Sequence, residues 1–198
     1  MLPATDWREA LMKIQTTLAA MFAIMAAPAL AENYTIDPLY TIPTFDISHL
    51  GFTTQSGRFN KMAGRISLDI PARKGSVDLT IYTASIDMGS AGWSAHLMSD
   101  GLFNVEKFPT MTFTSQNLVF SGDKVVAAEG QFTLLGVTRP LKVTVNGFRC
   151  KTIGEHKKTV CGGDVSATLK RSDFGLTKYI PDVSDEISIR VPVEANKD

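Results

Sequence analysis

Histidine and cysteine are scarce in this chain. Of 198 residues three are His and two are Cys, and His49, His96 and His156 stand in three separate segments. No HExxH, CxxC, GxSxG or glycine-rich phosphate loop occurs. Those motifs hold a metal, a nucleophile or a phosphate by fixed spacing, so metal-centred, triad and nucleotide chemistries have no local signature here. Clustered charge is missing as well. Basic and acidic residues number 20 each, and the one locally basic stretch is EHKK at residues 155–158, which reads as a solvated hairpin tip. A nucleic-acid partner needs grouped Lys and Arg to neutralise phosphates, which argues against one, and attraction to anionic lipid is weak for the same reason.

A long apolar run is also absent. Residues 18–30 fall short of the roughly 20 that a membrane-spanning helix needs, and Pro28 interrupts their end. They follow Lys13 and lead to Ala29-Leu30-Ala31, small residues where a signal peptidase reads. Residues 1–31 are therefore expected to be a signal peptide cleaved after Ala31, leaving a neutral chain of residues 32–198, the size of one domain. Asp6, Arg8 and Glu9 precede the lysine, an unusual n-region that points to Met12 as an alternative translation start. Both cysteines, Cys150 and Cys161, lie in the exported part, where an oxidising compartment favours a disulfide. The competing metal reading has only His156 between them.

What is abundant is alternation of period two, the mark of strands with one buried face. Val77, Leu79 and Ile81 alternate with Asp78, Thr80 and Tyr82; Leu141, Val143 and Val145 alternate with Lys142, Thr144 and Asn146; Ile187, Ile189, Val191 and Val193 close the chain in the same way. Turn residues fall between these runs at PARKGS, SGDK, GVTRP and PDVSDE. The pattern predicts about eight strands, one short helical run within residues 90–98, and a bulge or bend near Gly64, where the parity shifts between Phe59 and Ile66. Eight antiparallel strands satisfy their edges as a two-layer sandwich or as a closed barrel, and alternation alone does not choose between them.

The order of motifs narrows this. YTID with FDISHLGF, then GRFNKMAGRISLD, ASIDMG, HLMS, FNVEKFPTMTFTS, FTLLGVTRPLKVTV, RSDFGL and DEISIRVPVEA together resemble the YceI-like periplasmic proteins over residues 32–198. FRC and VCGGD are similar to a subgroup with a cysteine pair ahead of RSDFG. The resemblance implies an all-β, eight-stranded antiparallel lipocalin-like barrel in the periplasm, with one short helical connection. It also implies an isoprenoid-type lipid ligand, an isoprenoid quinone or polyprenyl phosphate, held for carriage, storage or stress protection, and no enzymatic activity. Tyr40, Thr41, Trp93 and Ser94 depart from residues common in the family, as does Gly101-Leu102-Phe103.

On that reading the apolar pocket is formed by Phe45, Ile47, Phe59, Ile66, Leu79, Ile81, Phe113, Phe132, Leu134, Val143, Leu169 and Ile189. The same set would also fill a solid core, a third possibility in which the barrel holds nothing. The polar candidates for a lipid head group are His49, His96, Arg171 and Asp173. His49 keeps the parity of Phe45 and Ile47 and is expected to point inward, as either a hydrogen-bonded core or rim residue or a ligand contact. Arg171 and Asp173 read either as a structural ion pair or, through the forked guanidinium, as a head-group clamp. The rival class is a hydrolase or metal-dependent enzyme using His49 and His96, with Asp173. No obligatory cofactor is expected. Partners are expected to be the lipid, membranes transiently, and at most a second copy of the chain.

Overall fold

In the computed structural model residues 31–155 and 157–198 are described; residues 1–30 of the expected signal peptide and His156 lie outside them. Eleven strand segments form one antiparallel sheet: β1 (Glu32–Ile36), β2 (Thr44–His49), β3 (Thr53–Phe59), β4 (Met62–Asp69), β5 (Lys74–Tyr82), β6 (Ile86–Asp87), β7 (Thr110–Ser121), β8 (Lys124–Leu134), β9 (Val137–Ile153), β10 (Lys158–Lys170) and β11 (Val183–Lys197). A helix, α1 (Ala91–Met98), and 3-10 turns at Thr83–Ser85 and Arg171–Phe174 complete the regular structure.

These segments amount to eight strands. β1 and β2 are two halves of one strand bent at residues 37–43: β1 pairs with β4 and the end of β11, and β2 with β3 and the start of β11. β3 and β4 are one strand broken at Asn60 and Lys61. β5 and β6 are one strand broken at Thr83–Ser85, since β4 pairs with β5 and β3 with β6. Every spatial neighbour is then a sequence neighbour, and the pairing of β1 with β11, Tyr34 opposite Lys197 and Ile36 opposite Ala195, closes the ring. The result is the closed eight-stranded antiparallel barrel with one helix that the resemblance implied.

The break expected between Phe59 and Ile66 is present, at Asn60 and Lys61 rather than at Gly64. Backbone bonds run across this break, from Asn60 N–H to the Ser85 carbonyl and from Tyr82 N–H to the Lys61 carbonyl, so the parity shifts without loss of pairing. Gly64 itself sits inside β4 opposite Leu79, where a β-carbon would collide with the Asp78 carbonyl and the Leu79 side chain. Gly57 has a comparable reason: the Phe45 ring and the Met88 sulfur occupy the space that a side chain would take.

Alternating strand direction sorts the connections into two ends. Residues 50–52, 88–109, 135–136 and 171–182 gather at one end, the rim; residues 70–73, 122–123, 154–155, Lys157 and both ends of the described chain gather at the other, the floor. In α1, too short to be stable alone, the Ser94 hydroxyl donates to the Ser90 carbonyl (2.9 Å) and accepts from Met88 N–H (3.0 Å), which fastens the helix to the end of β6.

Cys150 and Cys161 face each other across β9 and β10 and form a disulfide, with Cα atoms 4.0 Å apart. Replacing both by serine is expected to lower the unfolding free energy by about 2–3 kcal/mol, the chain-entropy value for so short a loop. A reduced urea midpoint with an unchanged far-ultraviolet circular dichroism spectrum is the expected result, because β9 and β10 stay paired with β8 and β11.

Candidate ligand cavity

An eight-stranded barrel is wide enough to be filled by side chains or to hold one small ligand. Here the inward side chains leave a cavity of about 650 Å³ along the barrel axis. That volume lies within the range of small-molecule sites, roughly 300–1,000 Å³. It contradicts the third possibility, a barrel filled by its own side chains.

All twelve residues expected in the pocket lie on the cavity wall: Phe45 and Ile47 on β2, Phe59 on β3, Ile66 on β4, Leu79 and Ile81 on β5, Phe113 on β7, Phe132 and Leu134 on β8, Val143 on β9, Leu169 on β10 and Ile189 on β11. Ile47, Leu79, Ile81, Val143 and Ile189 are only half-buried although they point inward, because their faces meet the cavity rather than other side chains. The wall also includes Met62, Met88, Met111, Leu102 and Phe103. Parity would have found Met111, on the face of Phe113; the three residues outside strands carried no periodic signal.

The floor is sealed. Tyr34 (2% exposed), Leu68 (4%) and Ala195 (1%) close it together with Cys161. The Tyr34 hydroxyl donates to Glu32 (2.6 Å), and burial, reinforced by that carboxylate, pushes its pKa up to about 12. A raised phenol pKa means that this cavity-wall group stays neutral at physiological pH.

Polar groups concentrate at the rim, where His49, His96, Lys178, Tyr179 and Asp182 border the opening beside Leu50 and Trp93. Three connections are tied together there. Leu50 N–H donates to the Asp182 carbonyl, linking the β2–β3 turn to the segment after β10. The Tyr179 hydroxyl lies 3.3 Å from His96 Nε2, with ring centroids 5.9 Å apart, which links that segment to α1. His49 is thus an exposed rim residue at the end of β2, the rim placement of the two expected for it.

The two remaining polar candidates part: Arg171 lies on the cavity wall and Asp173 does not. Arg171 is buried (2% exposed), and its guanidinium donates to the carbonyls of Ser184 (2.9 Å), Leu176 (2.7 Å), Lys178 (2.8 Å) and Val183 (2.8 Å). It lines the cavity, and these four bonds give most of its donors to the backbone of the rim connection. Burial lowers its pKa, partly offset by Asp185. Asp185 accepts from Ser172 N–H (2.8 Å) and the Ser172 hydroxyl (2.7 Å), and these bonds hold its own pKa below the usual carboxylate range. Asp173 is exposed and off the cavity wall, and its carbonyl accepts from Arg139. Of the pairings open to Arg171 and Asp173, with each other or with neighbouring strands, Arg171 takes the second, as an arginine knot with Asp185 of β11 nearby. A motif string could not reveal this, because the acceptors are backbone carbonyls.

The family departures divide in the same way. Thr41 is buried, with its hydroxyl donating to the Glu194 carbonyl (3.1 Å) and accepting from Glu194 N–H (3.0 Å), and Ser94 fastens α1. Tyr40 is exposed on the bend between β1 and β2, away from the cavity. Of the four, Trp93 reaches the cavity. For the rival enzyme, His96 contacts a tyrosine rather than an orienting carboxylate, the Ser94 hydroxyl is engaged elsewhere, and no three His, Cys, Asp or Glu side chains gather as a metal site among the described residues.

A family profile, the YceI-like domain, matches residues 34–195. The chain belongs to this family. A UPF0312 protein of Ectopseudomonas mendocina is 31% identical over 191 residues, covering 91% of this chain and 97% of its own. One from Pseudomonas aeruginosa strain PAO1 is 33% identical over 192 residues with the same coverage, 91% and 97%. Among solved structures, the Campylobacter jejuni YceI protein is 28% identical with a TM-score of 0.63, covering 77% of this YceI-like chain and 90% of its own. A Saccharophagus degradans domain described as polyisoprenoid binding and implicated in plant cell wall breakdown shares the fold at a TM-score of 0.61 and 16% identity, covering 83% and 98%.

Arg171→Met is expected to lower stability by about 3 kcal/mol or more, because the carbonyls it serves lose their partner in a buried setting. Arg171→Lys should recover little of this, since a compact ammonium cannot serve acceptors spread around a planar fork. Urea denaturation of the two variants checks both statements. Unchanged stability with weakened ligand binding would instead return Arg171 to the head-group role.

Proposed function

We propose that this YceI-like barrel is an exported, periplasmic lipid-binding protein rather than an enzyme. Its ligand is an isoprenoid-type lipid, an isoprenoid quinone or polyprenyl phosphate, held tail-down in the cavity with the head group at the rim. The observation that carries this reading is a sealed apolar bore whose polar groups stand at its open end. A flexible hydrocarbon tail needs an apolar wall and few directional contacts, and a polar head needs the reverse. The S. degradans domain, described as polyisoprenoid binding, and the signal peptide expected at residues 1–31 support the ligand class and the compartment.

Magnitudes favour carriage or storage. Removing hydrocarbon from water yields about 0.8 kcal/mol per CH₂, so a tail of several isoprene units would be held too firmly to release into water. Between the bore and a bilayer, the tail exchanges one apolar medium for another and the net transfer is near zero. Such a barrel shields a lipid from water and still delivers it to a membrane.

Organic extraction of the protein, purified from its native compartment without detergent, is expected to yield a stoichiometric isoprenoid species by mass spectrometry. Ala167 lies on the wall opposite Ile189. Ala167→Trp is expected to reduce the extracted lipid about tenfold or more, the equivalent of 1.4 kcal/mol of overpacking, with the strand spectrum retained. A lipid-free extract from folded, disulfide-bonded protein would overturn the reading.

A further inference from the structure

The rim carries more exposed hydrocarbon than closing the cavity requires. Eight large apolar residues are exposed among the described residues, and five of them stand at this one end: Leu50 (47%), Phe52 (86%), Trp93 (39%), Tyr179 (48%) and Ile180 (37%). They come from the β2–β3 turn, α1 and the segment after β10, the three connections already joined by the Leu50–Asp182 and Tyr179–His96 bonds. Exposed apolar residues scattered singly need no explanation, but a fastened cluster of them does.

We propose that this crown is a membrane-docking surface that seats the open end of the barrel on a lipid bilayer without requiring anionic lipid. The proposal rests on the reading that the cavity holds a lipid. Leu50, Trp93 and Tyr179 belong both to the crown and to the cavity wall, so apolar surface runs unbroken from the outside into the bore. With the crown seated, a tail slides from acyl chains to wall without crossing water, avoiding about 0.8 kcal/mol per exposed CH₂. A second copy placed mouth to mouth would bury the same residues but would join the bore to another bore, not to a source of lipid.

Two further features point to the bilayer. Leu50 (φ 55°) and Tyr179 (φ 67°) adopt the left-handed conformation that Gly, Asn and Asp tolerate best, and Leu50 does so beside Gly51 in the three-residue hairpin connection 50–52. Large side chains are held outward at strained positions by the bonds from Leu50 N–H to Asp182 and from Val183 N–H to Tyr179. Trp and Tyr are also the side chains that settle at membrane–water interfaces, with an apolar body and a polar edge. Lys178 and Asp182 at the opening oppose each other in charge, which leaves apolar contact as the attraction.

The test uses the protein expressed with its leader and purified after processing, so that Trp93 is its sole tryptophan. Vesicles of phosphatidylcholine brominated near the head group are the probe, and flotation and Trp93 quenching are read together. The native protein is expected to float with the vesicles and show quenching, both undiminished in about 1 M salt, where charge attraction is screened. Phe52→Ser combined with Ile180→Ser, two positions off the cavity wall, is expected to lower vesicle partitioning about tenfold or more. Native protein that does not float, a variant that floats equally well, or a crown whose substitution only dissolves a dimer would each overturn the proposal. Extraction of the same preparations reports separately on the cavity: lipid in the extract without flotation sinks docking alone, whereas flotation with a lipid-free extract supports docking and sinks the lipid-holding reading.

Discussion

Closure of the sheet is the constraint on which the other features rest. A strand edge in water exposes a row of unpaired N–H and C=O groups, and this chain removes its edges by bringing β11 back to β1 and β2. β11 does this by splitting its length, giving Ala195–Lys197 to β1 and Ile187–Arg190 to β2. The bend at residues 37–43 lets one strand follow it all the way, and Thr41 fixes that bend to Glu194 through both of its hydrogen-bonding capacities. With the ring closed, one side of every strand must face inward. The bore and its wall then follow from alternation.

Keeping an interior unfilled has a consequence for the connections above it. A loop over a solid core can lie on packed side chains, whereas a loop over an opening cannot. The segment after β10 is organised instead by a buried cation, with Arg171 gathering carbonyls from Leu176 to Ser184 into one cluster. α1 uses Ser94 in a similar way, satisfying backbone groups internally. Polar bonding within each connection takes over the role that apolar packing has in the wall, and this frees Leu50, Trp93 and Tyr179 to face the bore and the solvent.

Wall residues were legible in the sequence because a strand has a fixed period: knowing that Leu79 faces inward places Ile81 as well. Alternation could not separate a barrel from a sandwich, since both bury the same face, and the ordered motifs of a family supplied that choice. The break between β3 and β4 was legible as a parity shift between Phe59 and Ile66, but its place within that interval was not, because Gly64 is a conspicuous punctuator whereas Asn60 and Lys61 carry no such mark. Polar residues were harder. His49 follows strand parity but stands at the strand's end, where inward means the rim. Arg171 and Asp173 looked like a charge pair in RSDFG, yet a tight 3-10 turn separates their directions and gives the arginine to backbone carbonyls.

The sealed floor has a kinetic meaning. Tyr34, Leu68 and Ala195 stop the bore at one end, so nothing can be threaded through it. Whatever enters must leave by the same opening, in the reverse order. On the lipid-holding reading proposed above, such a molecule would be a ferry and not a conduit: each delivery would require the whole protein to leave one partner and find another. Flux then scales with the number of copies and their encounter rate, and a single copy cannot form a standing bridge between two membranes.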